Sequence, residues 1–474
     1  MRSTSAVLCL CCLLVAGSRS SFAAADKPTA NRPNVLFIAV DDLNHWVGYL
    51  GRNPQTKTPN IDKLAARGVR FTRSYCAAPV CNPSRAALMS GLRPWASGVY
   101  ENNDDWRKVI SEDLTLPTTF RRAGYYACGA GKIYHGGFDR KTDFDDYLQR
   151  EGGGAESKAD GGVGGIRFAP LDCNDSEMAD YKIASYGIEQ LQRKHDKPFF
   201  IAVGLHKPHM PWNVPQKYYD LHPLDKIELP PYREDDLADI PTGGQRMARP
   251  EGDHAAILKS GRWKDAIQGY LAAISFCDAQ IGRLLDALDK SPQRDNTIVV
   301  FWCDHGWHLG EKSHWRKFAL WEEATRAPLI WVVPGVTKPN AVCDRTVDFM
   351  SIYPTLCDLC GISTPKHVQG SSIRSLLADP KAPWTTPAMT TYRFNNHTVR
   401  TEAWRYIRYA DGGEELYDEA KDPYEWTNLA GNPKLAAMKS ELARWLPTEN
   451  KPDIGRGDEA TDAKPAKKKK KAEK

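Results

Sequence analysis

Acidic, basic and histidine side chains occur together in four short segments, a combination suited to holding an anion beside a metal ion. The segments are Asp41-Asp42, Lys132 with His135, His206-Lys-Pro-His209 and Asp304-His305. Asp41, Asp42 and Asp304 offer hard carboxylate oxygens, which suit Ca²⁺ or Mg²⁺ better than Zn²⁺. Any one segment alone would also suit a solvated loop. Together they predict a cation site surrounded by basic groups.

The motif Cys81-Asn-Pro-Ser-Arg85 adds a nucleophile to this set. Residues Pro83 to Ser90, closed by Gly91, have the pattern of a helix. Cys81 is therefore expected just before a helix, where N-terminal amides favour anions and nucleophiles. Arg85 lies one turn further on and is expected to face back toward Cys81.

The cysteine count also directs attention to Cys81. After residue 25 the chain has an odd number of cysteines: Cys76, Cys81, Cys128, Cys173, Cys277, Cys303, Cys343, Cys357 and Cys360. In an exported protein this leaves at least one thiol that is unpaired or has another use. Cys357 and Cys360 have redox-motif spacing, but they lie in a helical pattern that favours small buried hydrophobes.

Apolar runs rich in β-branched residues precede the polar segments and predict strands of a parallel sheet. These runs are 34–40, 125–130, 198–204 and 297–302, and they alternate with helical patterns at 59–68, 83–90, 114–123, 176–194 and 262–288. The alternation predicts a doubly wound α/β fold. Ligands of such sheets bind at the carboxyl ends of the strands, where the four polar segments are expected to converge.

The composition is that of an ordinary globular protein. The chain has 474 residues, of which 41% are hydrophobic and 26% are charged. The net charge of +5 comes from the two ends of the chain, and the body between them is nearly neutral. A neutral body argues against a surface that binds nucleic acid.

The chain divides into four predicted parts. Residues 1–25 have the charged start, apolar run and small residues of a signal peptide, so an exported protein is expected, periplasmic or secreted, or lysosomal if eukaryotic. No later apolar run reaches the roughly 18 residues that span a bilayer. Residues 26–385 form the predicted catalytic α/β domain, with a glycine-rich surface loop at 151–165. Residues 386–450 predict a smaller antiparallel subdomain, and 451–474 a disordered lysine-rich tail.

The Cys-x-Pro-Ser-Arg motif resembles the signature of the type I sulfatases of the alkaline phosphatase superfamily. Within that family the chain is most similar to the iduronate-2-sulfatase group. The resemblance covers residues 33–360, and its motifs are Val40–Leu43, Cys81–Arg85, Gly131–His135, Pro198–Pro211, Cys303–Trp307 and Leu309–Glu311 with Trp315 and Lys317. Glu415–Pro423 with Asn428-Leu429 resembles a common C-terminal sulfatase motif. The resemblance implies an alkaline phosphatase-like, doubly wound mixed sheet flanked by helices.

The resemblance also implies the reaction, which is the removal of sulfate from a sulfated saccharide. A formylglycine-generating enzyme would oxidise Cys81 to formylglycine during maturation. One hydroxyl of the hydrated aldehyde would attack sulfur, and ionisation of the other would expel sulfate. One Ca²⁺ ion would be held by the implied ligands Asp41, Asp42, Cys81 in its modified form, Asp304 and His305. His305 stands where most relatives have asparagine, as it does in the iduronate-2-sulfatase group.

Five further residues receive catalytic roles from the resemblance. Arg85 and Lys132 would hold the hydroxylate and the sulfate oxygens. His135 would take the proton of the second hydroxyl. His209 and Lys317 would lie toward the leaving oxygen, with His209 as the general acid.

Some choices stay open in the sequence. His206 also fits the His-x-Pro pattern, but the length of the preceding strand favours His209. Tryptophans near the motifs suit either stacking on sugars or packing in the core: Trp46, Trp106, Trp212, Trp307 and Trp315. The C-terminal unit departs from that of the iduronate-2-sulfatases, so the sugar is open. Candidate anion contacts in that unit are Arg393, His397 and Arg400.

Two other functions fit parts of the same pattern. A phosphodiesterase or phosphonate monoester hydrolase of the superfamily would also use one metal and a tetrahedral anion. A non-catalytic protein that binds sulfated glycans would keep Cys81 unmodified. The complete set of acids, bases and cations argues against the non-catalytic alternative.

Overall fold

A computed structural model describes residues 32–148, 154–157 and 160–455. The predicted signal peptide lies outside these residues, as do the tail from residue 456 onward and parts of the loop at 151–165. In the described chain, no helix combines the length and the apolar character needed to cross a membrane.

The strands and helices are numbered in chain order. The strands are β1 (Asn34–Asp41), β2 (Val69–Tyr75), β3 (Tyr126–Gly131), β4 (Asp146–Leu148), β5 (Phe168–Leu171), β6 (Phe199–Pro208), β7 (Trp212–Pro215), β8 (Thr297–Cys303), β9 (His308–Leu309), β10 (Trp315–Arg316), β11 (Leu329–Val332), β12 (Ala341–Asp348), β13 (Ala388–Thr391), β14 (His397–Arg400), β15 (Trp404–Arg408) and β16 (Glu414–Asp418). The α-helices are α1 (Pro59–Arg67), α2 (Cys81–Ser90), α3 (Pro94–Ser97), α4 (Leu116–Arg122), α5 (Ala179–Gln192), α6 (Gln216–Asp220), α7 (Thr242–Ala248), α8 (Asp253–Ser260), α9 (Trp263–Lys290), α10 (Glu322–Thr325), α11 (Ile352–Leu359), α12 (Arg374–Ala378) and α13 (Ala436–Ala443).

Strand β1 lies inside the main sheet because its apolar side chains are buried on both faces. The strand order of this eight-stranded sheet is β12-β2-β11-β8-β1-β6-β3-β4. β11 runs antiparallel to its two neighbours β2 and β8, and the other neighbouring pairs are parallel. The predicted doubly wound mixed sheet is therefore confirmed.

Helices cover both faces of this sheet. On one face, α5 packs against α9, and α5 and α9 both contact β6. On the other face, the ring of Phe120 in α4 lies 4.7 Å from the ring of Phe200 in β6, measured between centroids. The two layers leave the loops at the carboxyl ends of the strands free to build a site.

A second sheet, of four antiparallel strands in the order β13-β14-β15-β16, confirms the predicted C-terminal antiparallel unit. The limits 385 and 386 stay a prediction, because the sheet is joined closely to the main body. The amide of Thr391 in β13 donates to the carbonyl of Ala77, 2.9 Å away. This contact ties the small sheet to the segment that leads into Cys81.

Several elements differ from the sequence prediction. Strands β2, β4, β11 and β12 of the main sheet were not predicted, because they are short or alternate between polar and apolar residues. Helix α2 begins at Cys81 itself rather than after it, since Pro83 is accommodated within the first turn. The region 210–250 contains α6 and α7, which were not among the predicted helices. Helix α13 lies in the predicted C-terminal unit.

No disulfide joins any of the nine cysteines of the described chain. Cys357 and Cys360 are buried in the main hydrophobic core. Their predicted role as small buried hydrophobes is confirmed.

A buried ion cluster joins the two sheets. Arg405 of β15 is fully buried and forms ion pairs with Glu322, Glu419 and Glu425. Arg400 of β14 lies 3.3 Å from Glu322 and 3.2 Å from Glu419. Arg326 also pairs with Glu322 at 3.5 Å, so three guanidinium groups face the three glutamates, and the cluster is a structural junction rather than a metal site.

Replacing Arg405 with methionine should lower the free energy of unfolding by about 3–5 kcal/mol, because three glutamates lose a buried partner. Urea unfolding followed by circular dichroism measures the loss. Arg408→Met is the matched control on the same strand, and it should change stability far less. Equal midpoints for Arg405→Met and the unsubstituted protein would show that the cluster does not hold the sheets together.

Candidate active site

The register of the main sheet brings the polar segments to one edge. Val40 of β1 pairs with Cys303 of β8, so the aspartates that follow each strand are neighbours. On the other side of β1, Asp41 pairs with Pro208 of β6. Gly131, just before Lys132, pairs with Gly204 of β6. The four predicted segments therefore meet at the carboxyl ends of adjacent strands.

Asp42 is aimed into the site by an unusual backbone conformation. Its φ is 61°, in the left-handed region that aspartate tolerates better than most residues. Its amide donates to Asp304 Oδ1 at 3.1 Å. Its carbonyl accepts a 2.8 Å hydrogen bond from the hydroxyl of Tyr270, which lies in α9. A core helix thus fixes the turn that carries the acidic pair.

Cys81 is buried at the start of α2, among charged side chains. Its Sγ atom lies 2.9 Å from Lys317 Nζ, 3.4 Å from His305 Nε2 and 3.9 Å from Asp42 Oδ1. The Lys317 ammonium also forms a 2.7 Å ion pair with Asp42. The thiol therefore occupies a polar pocket between a cation, an imidazole and a carboxylate.

Arg85 and Lys132 brace the carboxylates from behind. Arg85 is fully buried, and its Nε donates to Asp304 Oδ2 at 2.9 Å while its Nη2 donates to the Val40 carbonyl at 2.9 Å. Its Nη1 donates to the carbonyl of Lys132. The Lys132 ammonium pairs with Asp41. The structure thus places Arg85 against protein oxygens, whereas the sequence assigned it to the reacting oxygens.

The structure separates the two histidines of the His-Lys-Pro-His run. His209 Nε2 lies 3.8 Å from Asp42 Oδ2, and its Nδ1 is 2.6 Å from the Met210 carbonyl. The His206 ring lies instead on the side of Asp180, 3.9 Å from its Oδ1. Of the two, His209 is the one at the site, in line with the choice made from strand length.

Asp180, at the start of α5, anchors this run and was not singled out from the sequence. Its buried carboxylate accepts hydrogen bonds from the amides of His206, at 2.9 and 3.0 Å, and of Lys207, at 2.7 Å. The Lys207 ammonium contacts the carbonyl of His209 at 3.3 Å. The position of His209 therefore depends on a residue far away in sequence.

His135 also borders the charged cluster. Its Nδ1 is buried and has no hydrogen-bond partner among the described residues. Burial, reinforced by the nearby Lys132 ammonium, lowers the pKa of His135 to about 3. The imidazole is therefore neutral at physiological pH.

Burial and charge also act on the thiol and on the lysine beside it. Burial raises the pKa of Cys81 well above its ordinary value, and Asp41 raises it further. Burial alone would lower the pKa of Lys317, but Asp42 and Cys81 outweigh it and raise that pKa. The pair thus consists of a neutral thiol and an ammonium ion.

The same pocket contains a set of possible metal ligands. One ligand atom from each of Asp41, Asp42, Cys81 and His305 lies within 4.8 Å of the others. Asp41 Oδ1 and Asp42 Oδ2 are buried without a hydrogen-bond partner in the described part of the chain. Asp304 lies beside this set, with Oδ2 3.6 Å from His305 Nε2. Buried, unpartnered carboxylate oxygens fit a hard divalent cation.

Residues beyond the sequence motifs hold Lys317 in place. The His314 ring contacts the Lys317 carbonyl at 2.5 Å and the Ala248 carbonyl at 2.7 Å. The amide of Phe318 donates to the carbonyl of Pro79, 3.2 Å away and two residues before Cys81. No sequence pattern predicts the contacts from His314 to Ala248 and from Phe318 to Pro79, because each joins residues far apart in the chain.

Most of the residues considered for sugar or anion contacts are buried in the structure. The five tryptophans expose 3% of their surface or less, so they pack in the interior: Trp46, Trp106, Trp212, Trp307 and Trp315. Arg400 is neutralised by Glu322 and Glu419, and His397 is also buried. The suggestion that Arg400 and His397 contact an anion is therefore wrong. Arg393 lines an open cavity.

Two profiles of sulfatase families match this chain. The family profile described as "Sulfatase" matches residues 33–362. A profile described as "N-sulphoglucosamine sulphohydrolase, C-terminal" matches residues 310–451.

Two curated proteins and one solved structure illustrate the similarity. A protein named "Sulfatase" from Formosa agariphila is 40% identical, over 89% of this chain and 87% of the relative. The iduronate 2-sulfatase of Homo sapiens is 31% identical, over 71% of this chain and 70% of the relative. The structure of a phosphonate monoester hydrolase of Agrobacterium radiobacter superposes with a TM-score of 0.75 at 24% identity, over 87% and 94% of the two chains. At that identity, the last similarity concerns the fold alone.

Replacing Asp180 with asparagine should loosen the run that carries His209, because the amide side chain offers one acceptor oxygen instead of two. Hydrogen exchange measured by mass spectrometry should show about tenfold faster exchange at residues 206–209. This factor corresponds to the free energy of roughly one lost hydrogen bond. Asp196→Asn, at an exposed position before β6, is the control. Unchanged exchange in Asp180→Asn would show that Asp180 does not anchor the run.

Proposed function

The chain belongs to the sulfatase family, the type I sulfatases of the alkaline phosphatase superfamily, and from this premise we propose that it removes sulfate from a sulfated carbohydrate. As a member of the family it is a sulfuric ester hydrolase. The observation that carries the proposal is the position of Cys81, with Lys317 Nζ at 2.9 Å and His305 Nε2 at 3.4 Å. A sulfate ester placed at Cys81 would meet the Lys317 ammonium and the His305 imidazole.

The nucleophile in this proposal is formylglycine made from Cys81 by a formylglycine-generating enzyme during maturation. When present, its hydrate supplies one hydroxyl for attack on sulfur and a second whose ionisation releases sulfate. Cys81 is fully buried in the folded chain, so the modification must precede folding. The protein partner is therefore expected to act on the unfolded chain.

The metal in this proposal is a single Ca²⁺ ion. Asp41, Asp42, Asp304 and His305 would hold it together with the oxygen of modified residue 81. The unpartnered carboxylate oxygens of Asp41 and Asp42 support this assignment. When bound, the ion would screen the charge of the sulfate and lower the pKa of a neighbouring hydroxyl.

The remaining residues divide the work of binding and proton transfer. Lys317 would donate to the sulfate. His209, when its ring carries a proton on both nitrogens, would protonate the leaving oxygen through Nε2 and keep the Nδ1 proton. His209 Nδ1 faces the Met210 carbonyl, which orients the other nitrogen toward the site. His135 would accept the proton of the second hydroxyl through its unpartnered Nδ1.

Arg85 and Lys132 serve mainly as positioning residues in this proposal. Arg85 supports Asp304, and Lys132 pairs with Asp41. Since the buried N–H groups of Arg85 already contact protein oxygens, its effect on the sulfate would be electrostatic.

Export and the choice of sugar complete the proposal. The N-terminal segment 1–25 supports export. The iduronate 2-sulfatase of Homo sapiens supports a sulfated sugar as substrate. The match of residues 310–451 to a different sulfatase C-terminal profile supports a sugar other than iduronate.

Cys81→Ala should abolish sulfate release from an aryl sulfate, by about 10³-fold or more, because no nucleophile remains. Activity is measured after co-expression with a formylglycine-generating enzyme. In the unsubstituted protein, mass spectrometry of the peptide around residue 81 should show an aldehyde in place of the thiol. Cys173→Ala, at a partly exposed position, is the control. An active protein with an intact Cys81 thiol would contradict the proposal, and a preference for aryl phosphate would favour the phosphonate or phosphodiester alternative.

Removing divalent cations with a chelator should abolish activity and lower Tm, and added Ca²⁺ should restore both. At a calcium concentration of 100 times Kd, binding stabilises the folded state by about 2.7 kcal/mol. Asp41→Asn should lose this calcium-dependent rise in Tm, whereas the exposed Asp196→Asn should keep it. Activity and Tm that ignore both chelator and calcium would exclude the metal site.

A further inference from the structure

A cavity of about 670 Å³ lies beside the catalytic pocket, a size typical of ligand pockets. Its lining includes Phe318 and His314. Phe318 follows Lys317 directly, and its amide bonds to Pro79, two residues before Cys81. The cavity therefore shares a wall with the site around Cys81.

A second part of the cavity lining is also linked to the segment around Cys81. Arg393 lines the cavity and forms a 2.7 Å ion pair with Glu101. The carbonyl of Glu101 accepts a 2.9 Å hydrogen bond from the side chain of Asn82, the neighbour of Cys81. A substrate whose sulfate lies at residue 81 would therefore extend the rest of its chain into this cavity.

The lining is rich in guanidinium groups. It carries Arg246, Arg249, Arg316 and Arg393 against the acids Glu251 and Asp253. Three of the four arginines are held by ion pairs: Arg246 with Asp411, Arg316 with Asp253, and Arg393 with Glu101.

Arg249 is exposed, and no ion pair binds it within the described residues. Its charge is available to a ligand.

Backbone strain concentrates at the same cavity. Arg249, Arg316, Phe318 and Arg393 have φ values of 51°, 79°, 76° and 59°. Left-handed conformations are unfavourable for such side chains, and they accumulate where the chain must present groups to a ligand. Three of these four strained residues are arginines. The fold thus holds cationic groups in this cavity although their left-handed backbone conformations raise its free energy.

We infer that this cavity is a subsite for an anionic group on the sugar next to the sulfated one, with Arg249 as its specificity-determining contact. The inference rests on the proposed function. The anion is a uronate carboxylate or a second sulfate, both of which guanidinium groups bind through paired N–H donors.

The test uses three disaccharides that share one scissile sulfate. The first has a neighbouring uronate, the second has that carboxyl reduced to an alcohol, and the third has a neutral neighbour with a second sulfate. Arg249→Ala should raise KM about tenfold or more for the first or the third. It should leave the second and a small aryl sulfate unchanged. The arm that responds identifies the anion.

Two further variants test the direction in which KM changes and provide a control. Glu251→Gln removes a negative charge from the lining, so it should lower KM for the anionic disaccharide that responds to Arg249→Ala. Arg294→Ala is the matched control, since Arg294 lies before β8, at the opposite end of that strand from the site. It should change no KM value.

Binding of the desulfated products, measured by calorimetry, separates this inference from the proposed function. An about tenfold weaker affinity of Arg249→Ala for the anionic product supports the subsite even if no sulfate is released. Equal affinities and equal KM values in Arg249→Ala and the unsubstituted protein overturn it. Absence of sulfate release from every substrate, including the aryl sulfate, would count against the proposed function alone.

Discussion

The structure depends on keeping three buried aspartates close together at the end of a parallel sheet. Asp41, Asp42 and Asp304 are fully buried, and like charges in such a position repel strongly. Arg85 and Lys132 reduce this repulsion from behind, and Lys317 reduces it from the side of Cys81. Three cationic side chains thus face three carboxylates, and one oxygen each of Asp41 and Asp42 stays without a hydrogen bond in the described part of the chain.

The main sheet makes this arrangement rigid. The apolar strands β1, β6 and β8 are buried on both faces, and their register fixes where each polar segment emerges. Helix α9 reaches the turn at Asp42 through Tyr270, and α5 reaches the His209 run through Asp180. The helices therefore do more than cover the sheet. They hold the catalytic loops through hydrogen bonds to backbone atoms, which depend little on the side chains of those loops.

Continuous apolar runs such as Asn34–Val40 made the central strands and the site edge predictable from the sequence. The edge strand β12 and its neighbour β2 were missed because their alternating residues resemble surface segments. Asp180 and Tyr270 were missed for a different reason. Each is an ordinary helix residue in the sequence, and its role comes from a contact with a strand far away. The start of α2 was misplaced because Pro83 suggested a first position, although proline fits anywhere in a first turn.

Chemistry and recognition are separated in the fold. The groups around Cys81 lie at the ends of strands, in the segments that follow them and on α2, and most of their side chains are buried. The cavity next to them is lined by α7, α8, β10 and the segments between elements, and four of its residues have left-handed backbone conformations. The first group must stay fixed because sulfate hydrolysis needs charges at constant distances. Apart from the His314 ring, which contacts the Lys317 carbonyl, the cavity's contacts to the site pass through the backbones of Phe318 and Glu101, so its other side chains can change without disturbing the aspartates. A fold with this division can keep one reaction while the sugar it accepts varies.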